Sequence, residues 1–144
     1  WAVEHVEGYL TSQGTYEVGA PGIETMLCAE ERTSRIVVGC VHFTIIGPDE
    51  GQAEIGYSFN SKFTGQGFAT EAVVALMGFV FNSMGMHRIC AGVDARNERS
   101  WKLMERVGMR REAHFVDANF EDGHWVDDYV YGMLKSEWID RYAT

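Results

Sequence analysis

Long apolar runs, paired cysteines and metal-binding motifs are all missing from this chain. The 144 residues include no apolar stretch long enough to cross a bilayer, and the three cysteines are scattered without a C-x-x-C spacing. The five histidines form no H-E-x-x-H motif or other ligand set. These absences argue against a membrane span, a disulfide scaffold and a metal site, so we expect a cytoplasmic protein without a metal.

The cysteines themselves give one further expectation. Cys28, Cys40 and Cys90 each lie in an apolar, strand-like stretch. We therefore expect buried, reduced thiols, as in most proteins of a reducing compartment, with a disulfide pair as the alternative.

Basic residues are scarce, with 12 Lys and Arg against 21 Asp and Glu and a net charge of −9. Nucleic acid and anionic membranes would repel such a protein, whereas a cationic or amine substrate suits it. Half of the basic residues nevertheless fall in one short segment, which predicts either an anionic ligand nearby or a solvated helix face. They are Arg96, Arg99, Lys102, Arg106, Arg110 and Arg111.

The pattern of apolar residues predicts one domain over residues 1–144, without repeats or linkers. Strands are expected at 24–31, 36–46, 53–60 and 88–95, and a hairpin at 112–120 and 125–134 around an Asp-Gly turn. Helices are expected at 1–10, at about 68–84 and after Asn97, the second being apolar all round and hence buried between layers. Strands interrupted by helices indicate an α/β or α+β domain.

The most informative segment runs from Thr64 to Glu71, Thr-Gly-Gln-Gly-Phe-Ala-Thr-Glu, between a strand and the apolar helix. Glycines at such a turn let a ligand approach the backbone closely. The free N–H groups of the first helical turn and the helix dipole then favour a phosphate. The segment predicts a pyrophosphate site.

Five motifs in this order resemble the GNAT superfamily of acyl-CoA-dependent N-acyltransferases, and its RimJ/RimL-like branch in particular. They are Glu54-Ile55-Gly56-Tyr57, the stretch from Gly65 to Ala72, Asn97-x-x-Ser100, Val107-Gly108-Met109 and Asp122-Gly123-His124-Trp125-x-Asp127. The resemblance implies a mixed, mostly antiparallel twisted sheet, flanked by helices and splayed between its fourth and fifth strands. We expect the family's first strand and helix to be missing from this chain, either removed or supplied by another chain, and the second case would give a homodimer.

The resemblance also implies that acetyl-CoA is the co-substrate and lies in the splayed sheet. Its pantetheine arm would run along Phe59, Asn60 and Ser61, and Asn97 would also touch that arm. Its pyrophosphate would rest on the turn, formed by Thr64, Gly65, Gln66, Gly67, Phe68, Ala69 and Thr70. Thr64 stands where many members carry Arg or Gln, so the turn depends on backbone donors, and the basic cluster is a candidate for the 3′-phosphate of CoA.

The resemblance implies direct attack of an amine on the thioester, without a covalent enzyme intermediate. Many members use a tyrosine as the proton donor to the thiol, at the position of Met104 here, whereas the RimL-like branch uses a serine, at the position of Ser100. RimL-like enzymes carry a glutamate where this chain has Asn119, so the general base is open, with Glu54 ahead of Glu112 and Asp94. Six aromatic residues are candidates for the groove wall or plain core: Tyr57, Phe59, Phe63, Phe115, Phe120 and Trp125.

The leading hypothesis is an N-acetyltransferase whose acceptor is a protein N-terminus, a polyamine, an amino sugar or an amine antibiotic. The alternative is a non-catalytic acyl-CoA-binding sensor or oligomerisation module, which the replaced residues at Met104 and Asn119 keep open. A nucleotide-binding fold is disfavoured because G-x-x-x-x-G-K-[ST] and G-x-G-x-x-G are both absent.

Overall fold

The structure is a computed structural model that describes residues 17–47, 49 and 51–142. The helix expected at 1–10 lies outside the described residues. Six strands and three α-helices are named here in chain order. The strands are β1 (Thr25–Glu30), β2 (Val37–Gly47), β3 (Gln52–Phe59), β4 (Arg88–Asp94), β5 (Arg110–Glu121) and β6 (His124–Leu134), and the helices are α1 (Phe68–Gly78), α2 (Glu98–Arg106) and α3 (Lys135–Tyr142).

The strands form one sheet in the order β1-β2-β3-β4-β6-β5, and every neighbouring pair is antiparallel except β3 and β4. The parallel pair is short, because its register ends where Glu54 meets Cys90. β3 then continues to Phe59 and β4 to Asp94 without pairing with each other. This gap is the predicted splay, since β3 and β4 are the strands that the resemblance numbers fourth and fifth.

The core lies on the sheet face that α1 covers. Alternate residues of the strands, such as Phe43, Ile55 and Ile89, are buried there against Val73 and Met77 of α1. Burial of these side chains, at about 25 cal/mol per Å² of apolar surface, holds α1 and hence the glycine turn in a fixed position on the sheet.

The helix expected at 68–84 departs from expectation in two ways. Its α-helical part ends at Gly78, and the chain continues as a single π-helical turn over Phe79–Ser83. It is also not buried all round, because Val74 and Ala75 are only half-buried. Their apolar side faces a groove rather than a second layer of the core.

Two other expectations were incomplete or wrong. The last helix, α3, was not predicted, although its Trp138 is 6% exposed and its ring lies 5.7 Å from that of Phe81. The thiols are free, but Cys28 is exposed and the other two cysteines are half-buried, because all three point to the sheet face opposite α1. Among the helices in the described part of the chain, none has the length and hydrophobicity that crossing a membrane requires.

Candidate active site

The glycine turn forms an open helix N-terminus. Gly65 and Gly67 have φ angles of 77° and 85°, in the left-handed region that favours glycine. Gly67 is the N-cap residue of α1, and no side chain caps this end of the helix. The first amides of α1, those of Phe68, Ala69 and Thr70, have no partner within the helix. A Cβ placed on either glycine would meet nothing within 4 Å, so the space above the turn is free.

The residues before the turn hold it in place. Asn60 donates its N–H to the Val38 carbonyl at 3.0 Å, and its side chain caps the short 3₁₀ turn Ser61–Phe63 through the Lys62 amide at 2.9 Å. The Thr64 hydroxyl donates back to the Ser61 carbonyl at 2.9 Å, away from the glycines. The turn therefore presents backbone donors rather than the Thr64 side chain, while Gln66 is exposed.

An open groove of about 630 Å³ begins at this helix end. It is lined by Gly67, Thr70, Glu71, Val74, Ala75 and Arg106. Arg106, in the last turn of α2, donates a hydrogen bond from Nη1 to the Thr70 hydroxyl at 3.3 Å. The groove thus combines an apolar wall on α1 with free backbone donors, one guanidinium and the Glu71 carboxylate. The backbone donors and the guanidinium suit a phosphorylated ligand with an organic arm.

The structure separates Arg106 from most of the basic cluster. Arg96 binds Asp94 and Glu121, and Arg110 binds Glu112 and Glu137. Lys102 contacts Glu98 of its own helix, and Arg111 of β5 contacts Glu105 of α2. In the range 17–142, apart from 48 and 50, Arg99 and Arg106 have no carboxylate partner, and only Arg106 reaches the groove.

Ser100 and Asn97 lie together at the start of α2, on the other side of the gap from β3. The Asn97 side chain accepts a hydrogen bond from the Ser100 amide at 3.1 Å and so caps the helix, as predicted. The Ser100 hydroxyl donates to the Tyr57 hydroxyl at 3.1 Å, and the Tyr57 hydroxyl donates to the Ser100 carbonyl at 2.8 Å. Met104, at the position of the usual tyrosine, is buried in the core at 3% exposure.

The three candidate bases differ in their surroundings. Glu112 is bound by Arg88 and Arg110, and the hydrogen bonds from Arg88 hold its pKa below the ordinary value. Asp94 is bound by Arg96, which also lowers its pKa. Glu54 is exposed and has no cationic partner within the described ranges. Glu54 is therefore the candidate base whose carboxylate is not bound by a cation of the described residues.

Glu54 shares its sheet face with two more carboxylates. Its register partner is Cys90, Asp94 lies four residues further along β4, and Asp94 is opposite Asp128 of β6. Since side chains alternate along a strand, these carboxylates point to the same face, opposite α1. Ser100 and the Tyr57 hydroxyl lie on the α1 face. The candidate base and the candidate acid thus lie on opposite faces, near the gap between β3 and β4.

Two site features were not predicted. Tyr57 was considered only as groove wall or core, and Arg106 only as one member of a basic cluster. The Glu-Ile-Gly-Tyr motif marked the position of Tyr57, but nothing local indicated that its hydroxyl meets a residue 43 positions away. The remaining predicted cofactor residue, Phe59, ends β3 and packs against the core, where its ring lies over Gly39.

A splayed sheet with an open glycine-turn helix beside the gap is the arrangement that the resemblance implied for an acyl-CoA-dependent acyltransferase. The acetyltransferase (GNAT) domain family matches residues 2–110 of this chain. The chain belongs to this family, and the predicted superfamily is confirmed.

Curated proteins that are similar in sequence indicate the branch of the family to which the chain is related. The uncharacterized N-acetyltransferase YnaD of Bacillus subtilis is 38% identical over 85 residues, which are 59% of this chain and 50% of YnaD. The ribosomal protein uS5-alanine N-acetyltransferase of Escherichia coli is 27% identical over 103 residues, 71% of this chain and 53% of that enzyme. The second relative supports the RimJ/RimL-like branch. The chain spans about half the length of these curated relatives.

Solved structures agree with the fold. A GNAT-family acetyltransferase from Bacillus anthracis superposes with a TM-score of 0.72 at 33% identity, covering 77% of this chain and 66% of that one. A spermidine N-acetyltransferase from Vibrio cholerae has a TM-score of 0.77 at 21% identity, covering 96% and 77%. The second likeness shows the fold alone.

Proposed function

We propose that this protein transfers the acetyl group of acetyl-CoA to a primary amine. One observation carries the proposal, namely the uncapped N-terminus of α1 beside a gap between two strands. A diphosphate placed on the turn would accept hydrogen bonds from the first amides of α1 and gain from the helix dipole. From there a pantetheine arm would reach the gap along the end of β3.

The phosphate end would use one side chain besides the backbone. Arg106 already lies against Thr70 in the first turn of α1, so its guanidinium would contact the diphosphate itself rather than a more distant phosphate. Val74 and Ala75, whose exposure would otherwise be unexplained, would pack against the organic part of the cofactor.

The reaction would begin when the protonated amine loses a proton, so that its lone pair can attack the thioester carbonyl. Glu54, with no cation against it, would take that proton directly or through a water molecule. The tetrahedral oxyanion would be stabilised by a backbone N–H group at the edge of the gap. The nitrogen of the tetrahedral intermediate then loses its second proton to solvent as the C–S bond breaks, and Ser100 would donate a proton to the departing thiolate.

The acceptor would approach the sheet face that carries Glu54, Asp94 and Asp128. Arg96 already pairs with Asp94, but Glu54 and Asp128 have no cationic partner among the described residues, and in a protein of net charge −9 they favour a cationic acceptor. A peptide N-terminus and a polyamine would both fit. They correspond to the acceptors in the names of two similar proteins, the uS5-alanine and the spermidine acetyltransferase.

A CoA-binding sensor is the second candidate function. Two observations favour it: Met104 is buried and cannot reach a ligand, and Asn119 donates its side-chain amide to Asp128 instead of providing a carboxylate. Such a protein would keep the phosphate site and lack turnover.

The test is thiol release from acetyl-CoA by the purified chain, with an alanine-initiated peptide, spermidine, glucosamine and an aminoglycoside as acceptors. CoA affinity is measured in parallel by calorimetry. Turnover with any acceptor supports the transferase, and tight CoA binding without turnover supports the sensor. Failure to bind CoA would refute both functions.

A further inference from the structure

Tyr57 and Ser100 form a pair of hydroxyl groups that joins β3 to α2. Each residue contributes one donor: the phenol donates to the Ser100 carbonyl at 2.8 Å, and Ser100 Oγ donates to the phenol oxygen at 3.1 Å. The Ser100 amide is held separately by the Asn97 side chain at 3.1 Å. The Ser100 hydroxyl is therefore held by Tyr57 of β3 and not only by groups of its own helix.

The location of this pair matters because β3 and β4 have already parted there. Their last register pair is Glu54 with Cys90, and Tyr57 lies three residues beyond it. The Tyr57 side chain points to the α1 face, where it packs against the core. The hydroxyl pair thus spans the gap on that face and connects β3, which carries Tyr57, to α2, which carries Ser100.

We propose that Tyr57 is a positioning residue that orients the Ser100 hydroxyl and supplies the proton that Ser100 passes to the departing thiolate. This inference rests on the proposed acetyl transfer, and it assigns a proton source that replaces the tyrosine missing at Met104. Tyr57 reaches the same helix, α2, from β3 instead of from within it.

The proton balance is simple. The Ser100 Oγ–H bond breaks as the S–H bond of CoA forms. The phenolic hydrogen turns from the Ser100 carbonyl to Ser100 Oγ, so the serine is neutral again and Tyr57 becomes a phenolate. A solvent proton restores the phenol, and it offsets one of the two protons that the protonated amine releases.

Acidity explains why the serine needs this partner. An aliphatic hydroxyl is a much weaker acid than a phenol, which titrates near pH 10, so a proton drawn from the phenol makes protonation of a thiolate, whose thiol titrates near pH 8.5, less unfavourable than one drawn from the serine alone. Burial raises the pKa of Tyr57, and Tyr131 on β6 adds to this rise, while the bond from Ser100 opposes it. Tyr131 itself is bound to Arg111 and Glu105. Tyr57 therefore stays protonated at neutral pH.

The experiment compares Tyr57→Phe, Ser100→Ala and the double variant with the unmodified chain. Tyr142→Phe is the matched control, because the Tyr142 hydroxyl also donates to a backbone carbonyl at the end of α2, that of Val107 at 2.9 Å, but does not touch Ser100. The measurements are kcat, acetyl-CoA affinity, thermal stability, and the pKa of the CoA thiol in the bound state, read from the ultraviolet absorbance of the thiolate.

We expect Tyr57→Phe to lower kcat about 100-fold, the usual effect of losing a general acid, without a change in acetyl-CoA affinity. The double variant should be no slower than the slower single variant, because the two hydroxyls act as a unit. The pKa of the bound thiol should rise in both single variants, since a donor to the thiolate is lost, and stay unchanged in Tyr142→Phe.

Additive losses in the double variant, or a bound-thiol pKa that Tyr57→Phe leaves unchanged, would overturn the proposal. If the unmodified chain binds CoA but acetylates no acceptor, the transferase function fails, and the thiol titration still decides whether Tyr57 and Ser100 act on the sulfur. If the chain binds no CoA, both proposals are overturned together.

Discussion

The Arg106 guanidinium donates a hydrogen bond to the Thr70 hydroxyl at 3.3 Å and so links the end of α2 to the first turn of α1. The cation has no carboxylate partner within the described ranges and lies at the mouth of the groove. Arg106 therefore places a positive side-chain charge beside the glycine turn, where Thr64 has none.

The first prediction follows from this contact. Arg106→Gln should weaken CoA binding roughly 10-fold or more, because a charge-assisted hydrogen bond contributes about 1.5–3 kcal/mol. Arg99→Gln is the matched control, since it removes an exposed arginine from the same helix. Calorimetry with dephospho-CoA identifies the phosphate: the loss should persist if Arg106 binds the diphosphate, and its disappearance would place Arg106 on the 3′-phosphate instead.

The second prediction concerns the space above the turn. Gly67→Val should abolish CoA binding, because its side chain would fill the free space where the ligand's phosphates are expected. Gly85→Val is the control, because the φ angle of Gly85 is 72°, close to the 85° of Gly67, and a Cβ on Gly85 would also meet nothing within 4 Å. Both variants should lose similar stability from backbone strain, of about 1–2 kcal/mol. If Gly67→Val and Gly85→Val bound CoA with equal affinity, that result would argue against a phosphate site at Gly67.

The third prediction tests the candidate base. Glu54→Gln should lower kcat about 100-fold at neutral pH while acetyl-CoA affinity stays the same, because only proton transfer from the amine is impaired. Glu30→Gln, which changes a carboxylate on another strand of the sheet, should leave kcat unchanged. Steady-state kinetics with a saturating acceptor make the comparison, and full activity of Glu54→Gln would remove this residue from the chemistry.

The fourth prediction concerns acid stability. The hydrogen bonds from Arg88 lower the pKa of Glu112 in the folded state from 4.5, its ordinary value. The pair therefore stabilises the fold above the unfolded-state pKa, and this contribution is lost as the pH falls through the lowered folded-state pKa. Glu112→Gln should cost about 1 kcal/mol at pH 7 and almost nothing once the wild-type carboxyl is protonated.

Urea titrations at several pH values measure this difference. Glu98→Gln is the control, because Glu98 contacts Lys102 at 2.9 Å in an exposed pair on one helix, which contributes only about 0.3–0.5 kcal/mol. A cost of Glu112→Gln that did not decrease on acidification would show that the ion pair is not its source.

Much of the fold could be predicted because its signals are local. β2 is rich in β-branched residues, and the Asp122-Gly123 turn requires the positive φ angles of 50° and 83° that it has. α3 was missed because Leu134 ends β6 and the next residue, Lys135, begins the helix, so no Gly or Pro marks the boundary. The helix is also only eight residues long. Its position depends on the packing of Trp138 against Phe81, which is a tertiary contact.

The site was predictable to the same extent. The glycine turn and the Asn97 cap are properties of consecutive residues, so their geometry follows from sequence. The Tyr57–Ser100 pair and the separation of Arg106 from the other arginines depend on how α2 lies against β3 and α1. No spacing along the chain encodes those contacts.

The central claim is that the first amides of α1 hold the diphosphate of CoA, and amide NMR during a CoA titration tests it most directly. The account predicts that the amide signals of Phe68, Ala69 and Thr70 shift most, and together, while those of the hairpin turn at Gly123 stay in place. Saturable CoA binding that leaves these three amides unshifted, or no binding at all, would contradict it.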